Sequence, residues 1–181
     1  MKKYIIKTVI AVMVLSLFSL NGCILDAFDT LTQNIPYSKE FPLSSSQTTY
    51  SNSQTIDLSS STVYKNYQDK IEEIKFIRAE YRTVSVDPPN LSGNITITLK
   101  DAFGNILFSR ELGQLSASDY IEKPRELTLN STQIGLINNY LSKLSNRILI
   151  ATISVTNIQS SPPNYKLVGA IDVVFRMKSK T

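Results

Sequence analysis

After residue 34 the chain alternates apolar and polar residues with period two, and this pattern predicts strands. Ile35, Tyr37, Phe41 and Leu43 occupy every second position, with Lys39 the one polar residue in that register. Such spacing is the signature of a strand with one buried face. Ile95, Ile97 and Leu99 alternate in the same way. Their segment runs through Asp101–Asn105 into Ile106–Leu112, a hairpin whose Gly104 and Asn105 suit the positive φ of a short turn. In Phe76–Val86, Ile77, Ala79 and Tyr81 face one way and Arg78, Glu80 and Arg82 the other. Ile148–Val155 and its expected partner Leu167–Phe175 are apolar in both registers, as strands are when both faces are covered. Helical spacing appears twice. Ile134, Ile137, Leu141 and Leu144 form one stripe behind Ser131 or Thr132 as cap, and Val63, Tyr67 and Ile71 lie four apart behind Ser60 or Ser61. The serine-rich stretch 43–54 reads as an exposed loop.

These elements recur in order. Ile35–Phe41 returns as Ile106–Leu112 at an offset of 71, and the same offset carries Gln54–Ser61 onto Arg125–Thr132. Thr83–Val86 matches Thr152–Val155, and each is followed by Pro-Pro-Asn, at Pro88–Asn90 and Pro162–Asn164. The expected organisation is a leader over residues 1–22, a spacer over 23–34 and a single β-rich domain over 35–181. That domain consists of two tandem strand-strand-helix-strand-strand repeats, 35–105 and 106–178. Eight strands and two short helices fit a mainly β, antiparallel fold. It is either a sandwich of two four-stranded sheets or one curved sheet with the helices against it; we prefer the sandwich, with an approximate two-fold axis between the repeats.

The first residues have a different character. A cationic start, Met1–Lys7, leads into the apolar stretch Val9–Leu20, then Asn21, Gly22 and Cys23. This is the layout of a secretory signal peptide, and its apolar stretch falls short of the roughly 20 residues that span a bilayer. Leu20–Cys23, "LNGC", resembles the lipobox of bacterial lipoproteins, with Asn21 where that family more often has Ala or Ser. The resemblance implies cleavage between Gly22 and Cys23, a diacylglyceryl group on the Cys23 sulfur and acylation of the new amino terminus. Ile24 stands where inner-membrane retention would have Asp, so the resemblance implies the outer membrane, with the domain at its periplasmic face or surface. Two or three acyl chains at about 0.8 kcal/mol per buried CH₂ make a permanent anchor. Cys23 is the only cysteine. A lone free thiol is a liability in an oxidising compartment, and lipidation removes it.

Charge and composition narrow the function. Of the 19 basic residues, Lys2, Lys3 and Lys7 lie in the leader, which holds no acidic residue. The remainder therefore balances its 15 acidic side chains with one basic residue to spare. No basic patch interleaved with aromatics stands out, so nucleic acid is not an expected partner. With no histidine in the chain, Ser-His and Cys-His nucleophile pairs and His-rich zinc sites are excluded. No Ser-x-x-Lys heads an evident helix. Glu72 and Glu73 are adjacent and would face opposite ways, while Asp101, Glu111 and Glu122 fall in turns or on edges; none forms the carboxyl pair a glycosidase needs. Asp172 lies between Gly169–Ile171 and Val173–Phe175, and reads as the outward residue of an alternating strand beside Arg176. Tyr64, Tyr67, Tyr81 and Tyr140 can line a carbohydrate platform or edge the core, and the absence of Trp favours the core edge. No catalytic residue, metal or cofactor is expected.

Two readings of the domain follow. The leading one is a lipid-anchored, non-catalytic binding or assembly module. Its partner is an envelope protein that meets a strand edge, either that of Ile35–Phe41 or that of the C-terminal strand, by β-augmentation. The alternative is a carrier of lipid or another apolar ligand held between the repeats, for which Ile148, Ile150, Val168, Ala170 and Val174 are the candidate ligand or partner surface.

Overall fold

In the computed structural model, which describes residues 30–180, the alternating segments form eight strands. They are β1 (Thr30–Ser45), β2 (Tyr50–Asp57), β3 (Ile71–Asp87), β4 (Ser92–Asp101), β5 (Ile106–Ser116), β6 (Arg125–Glu126), β7 (Ile148–Gln159) and β8 (Tyr165–Lys180). Two helices join them, α1 (Thr62–Tyr67) between β2 and β3 and α2 (Ser131–Ser142) between β6 and β7. The expected signal peptide over residues 1–22, Cys23 and residues 24–29 lie outside the described residues. Residues 30–34, expected in the spacer, instead open β1, because β8 is long enough to pair with them as far as Thr30↔Lys180.

The strands make two antiparallel four-stranded sheets, ordered β1-β8-β3-β6 and β2-β7-β4-β5. The fold is the expected antiparallel sandwich, and this strand order is that of a jelly roll. Exchanging β1–β4 with β5–β8 turns the order of one sheet into the reverse of the other. Every eight-stranded jelly roll has that property, whatever its sequence. The β3–β4 and β7–β8 connections each contain a cis bond, at Asp87–Pro88 and Ser161–Pro162.

The two sheets differ in length. β1 and β8 have 16 residues each and β3 has 17, against 8 in β2. The Tyr37 hydroxyl donates to the Leu58 carbonyl, which fixes where the second sheet ends against the first. Beyond that level the inner face of the long sheet is covered by the helices. Tyr64 of α1 and Ile137 and Leu141 of α2 are buried there, and the Phe76 N–H donates to Asn138 Oδ1 of α2 at 2.9 Å. Phe175 of β8 packs edge-on against Tyr37 and Phe76, with ring centroids 5.8 and 6.2 Å away. Further up, Gly169 leaves room for the Tyr81 ring: a Cβ there would sit 3.2 Å from Tyr81 Cε2.

Helix starts follow capping chemistry. Ser61 accepts from the Tyr64 N–H at the head of α1, as expected. In α2 the cap is Asn130, one residue before the expected Ser131 or Thr132, and it exchanges bonds with Gln133 in a capping box. The Ile134, Ile137 and Leu141 stripe faces the core, whereas Leu144 lies past the helix end and is 46% exposed. The serine-rich loop shrinks to residues 46–49, because β1 runs to Ser45 and β2 starts at Tyr50.

β3 departs from simple alternation. Its pairing with β8 skips at Glu72, Ile77 and Val84, each an extra residue in a β-bulge. Every bulge leaves two consecutive side chains pointing outward and shifts the inward register by one. Phe76 and Ala79 are therefore in the core and Ile77 is not, contrary to the expected set of Ile77, Ala79 and Tyr81. For the same reason Glu72 and Glu73 share the outer face instead of opposing one another; Glu72 meets Lys178 of β8 at 3.2 Å and Glu73 meets Lys75 at 2.8 Å. The bulge makes two neighbouring apolar residues energetically unlike. Phe76→Ala is expected to destabilise by about 3–5 kcal/mol and Ile77→Ala by no more than about 0.5 kcal/mol, read from urea unfolding midpoints. Equal losses would mean that β3 and β8 pair without the bulge.

Candidate functional site

The five residues expected to form one apolar surface are divided between the sheets. β7 lies inside the shorter sheet and β8 inside the longer one, because the β7–β8 connection crosses from one to the other. Ile148 and Ile150 are thus on the outside of one sheet, and Val168, Ala170 and Val174 on the outside of the other. Ala170 is fully buried, between cross-strand neighbours Glu40 and Arg82. These residues form no common surface. Two apolar spaces lie between the sheets, one bounded by Leu43, Leu91, Leu115 and Ile158 and the other by Phe41, Tyr81, Ile153 and Leu167, each of about 10 Å³. That is room for about one water molecule.

The outer faces carry different chemistry. On the long sheet, Asp172 points outward as expected, but its partner is Arg82 of β3, whose Nε donates to Oδ2 at 2.7 Å, rather than Arg176. Arg78 bonds Glu80 on the same face at 2.6 Å. These pairs are part-exposed and contribute at most about 1 kcal/mol each. The outside of the short sheet carries rows of hydroxyls across its middle. Ser53, Thr152, Thr98 and Ser109 stand side by side across its four strands. Ser53 and Thr152 bond at 2.8 Å, Thr98 and Ser109 at 3.0 Å, and Ser51 bonds Ser154 in the next row at 3.0 Å. The signal for this face was present as alternate Ser and Thr in Ser51–Thr55, Thr96–Thr98 and Thr152–Thr156, the complement of the apolar register.

The two expected docking edges fare differently. The C-terminal strand, β8, is interior, paired on both sides by β1 and β3, and offers no edge. β1 is an edge, but Pro36 and Pro42 lack N–H groups. Proline is tolerated in a strand only where its missing donor faces outward, and the Pro42 carbonyl, which accepts from the Tyr50 hydroxyl at 2.8 Å, indeed points away from β8. Between the prolines only Ser38 and Glu40 can donate along that edge.

At the end of the sandwich remote from Thr30 and Lys180, an open groove of about 430 Å³ lies over the long sheet, lined by Ser44, Ser45, Ser46, Asp87, Asn164 and Lys166 with Tyr165. Lys166 is opposite Ser44 of β1 and Asp87 of β3 in register. Three distant segments meet there, so nothing local in the sequence marks it. Among the described residues, no three or more of His, Cys, Asp and Glu are grouped to hold a metal ion. The tyrosines build no platform. Tyr81 is buried and packs against Tyr120, while Tyr64 lies under the Arg147 guanidinium, 5.2 Å from its ring centre.

At the opposite end, the β4–β5 hairpin is held by Asp101. Its Oδ1 accepts from the N–H groups of Phe103 and Asn105 at 2.8 and 2.9 Å, and its Oδ2 from the Asn105 side chain at 2.7 Å. Gly104 takes the positive φ, +90°, that the turn requires; Asn105 contributes its side chain rather than its backbone conformation. Burial opposes ionisation of Asp101, but the donors from Asn105, Phe103 and Gly104 together outweigh it and hold the carboxyl below its ordinary range. Tyr37 goes the other way: burial, partly offset by Ser61, pushes its hydroxyl up to about 12.

No family model matches the chain, and no curated protein does. Solved structures that align with the chain include viral ones. Desmodium yellow mottle tymovirus aligns over 82% of this chain and 90% of its own at 15% identity with a TM-score of 0.36. Mud crab tombus-like virus aligns over 84% and 82% at 11% identity and 0.46, and Macrobrachium rosenbergii nodavirus over 84% and 54% at 12% identity and 0.46. Similarity this distant adds nothing to the strand order, which identifies the jelly roll by itself.

The carboxylate of Asp101 yields a prediction with a definite sign. Because folding lowers its pKa from 3.8, the stability it contributes is present above about pH 4 and is lost as pH falls through the folded-state value. Asp101→Asn is expected to cost about 1–2 kcal/mol at pH 7, with the gap to wild type narrowing at pH 3 in urea unfolding. A gap that widens on acidification would refute this assignment.

Proposed function

We propose that the protein is a lipid-anchored protein of the bacterial outer membrane whose jelly-roll domain is a non-catalytic binding or assembly module. The observation that carries this reading is Cys23, the single cysteine, in "LNGC" behind a signal-peptide leader. Thr30 follows seven residues later and already belongs to the edge strand β1, so the domain sits on a short tether at one end. The connections 46–49, 88–91 and 160–164, with the polar groove among them, then lie at the end away from the anchor. The side chains at that groove are hydroxyl, amide and charged groups suited to hydrogen-bonding a partner. Along β1, the stretch between Pro36 and Pro42 is the edge a partner strand would meet, and the prolines restrict it to a short, defined register. The carrier alternative has no support in the packing: ligand cavities run to several hundred Å³, and the apolar spaces between these sheets hold about a water each.

Metabolic labelling with a palmitate analogue is expected to mark the wild-type chain, which should fractionate with the outer membrane. Cys23→Ser should lose the label, and any processed chain should appear in the soluble fraction. A photo-crosslinker at Glu40, on the open edge, should yield one discrete adduct in intact cells. An unlabelled wild type, or a processed Cys23→Ser chain that stays with membranes, would overturn the anchor; absence of any adduct at Glu40 would remove the edge as a docking site.

A further inference from the structure

Exposed apolar side chains on this domain are unevenly placed. Ile77 and Val84 are the extra residues of bulges in β3, and Ile121 lies in the β5–β6 connection, so each has a local cause. The other large exposed ones gather at the end where the chain enters. Phe103, 79% exposed, tips the β4–β5 hairpin, and Ile106 opens β5 at 58%. Leu144 follows α2, and Ile148 begins β7. Tyr140 of α2 ties these parts together: its hydroxyl accepts from the Ala102 N–H at 3.3 Å and donates to the Ile148 carbonyl at 2.7 Å. Leu136, one helical turn before Tyr140, is also exposed.

The turn does not need an aromatic residue. Asp101 holds the hairpin through the backbone of Phe103 and through Asn105, and the Phe103 side chain takes no part. The result is a rigid tip with a phenyl ring standing in solvent. Lys143 is exposed beside Leu144, and Lys100 is opposite both Ile106 and Ile150 in register. Apolar residues bordered by lysines are the composition of surfaces that enter the headgroup layer of a bilayer.

We infer that the hairpin side of this end, with Phe103 foremost, rests in the headgroup layer of the membrane to which Cys23 is anchored. The inference depends on the lipid-anchor reading. From Cys23 to Thr30 the chain extends at most about 25 Å, and an upright domain would hold the hairpin about 20 Å farther from the bilayer than Thr30. A tether of that reach lets the domain incline until the hairpin side meets the surface. It also keeps the patch at an effective concentration on the order of millimolar, so a weak contact suffices. The domain then lies at a fixed tilt rather than swinging freely, and its polar groove faces away from the lipid.

The chain has no tryptophan, which makes the test direct. Single variants Phe103→Trp and Val84→Trp of the processed, lipidated protein are incorporated into vesicles of phosphatidylethanolamine and phosphatidylglycerol, with and without brominated acyl chains. Emission from Phe103→Trp should fall about twofold with the brominated lipid and resist aqueous iodide, as a side chain at the headgroup boundary does; Val84→Trp should show the reverse. If both variants float with the vesicles and are equally open to iodide, the fixed orientation is wrong and the anchor stands. A protein that fails to float with vesicles removes the anchor, and the inference with it.

Discussion

The rest of the structure depends on covering the inner face of one long sheet. β8 buries alternate residues from Leu167 to Met177, and β3 and β1 extend that apolar face on either side. A face of that length needs a partner along its whole extent. The second sheet supplies it only as far as Tyr37, because β2 is half as long as β1. Below that level α1 and α2 must complete the core. Their positions in the chain follow, since each occupies a connection at the end where β1 begins and β8 finishes, where the uncovered face lies.

This division also separates the outer chemistry. The long sheet presents cross-strand ion pairs such as Arg82–Asp172, and the short sheet presents rows of hydroxyls. Neither face groups carboxylates or nucleophiles with a base. Among the described residues, the polar side chains of these faces pair with one another across and along the strands. The domain's two ends are likewise unlike: a polar groove at one, and a rigid hairpin with exposed apolar residues at the other.

Bulges explain where alternation misleads. Ile77 occupies the apolar register of its own strand, and only the count of β8 residues opposite reveals that it is extra. An inserted residue leaves no mark in a period-two pattern when it and the residue before it, here Ile77 and Phe76, are both apolar. The same limit applies to the segments Ile148–Val155 and Leu167–Phe175. Both read as apolar runs and follow one another along the chain, yet they join different sheets, and the five residues that their pattern brings together are apart in space.

Local physics was legible in the sequence. Alternation, helix spacing, capping residues and turn glycine depend on neighbours within a few positions, so strands, the existence of both helices and the β4–β5 hairpin could be read directly. The helix stripes ran too far, since Ile71 opens β3 and Leu144 lies past α2, and the serine-rich segment was strand over most of its length. The lipobox-like segment is local too, though it lies outside the described residues. Pairing is not local. Which strand lies beside which, whether β8 is an edge or the interior, where β3 bulges, and that Ser44, Asp87 and Asn164 share a groove are decided when distant strands compete to bury their apolar faces. Only the packed tertiary structure settles that competition, because its energies come from contacts between residues tens of positions apart.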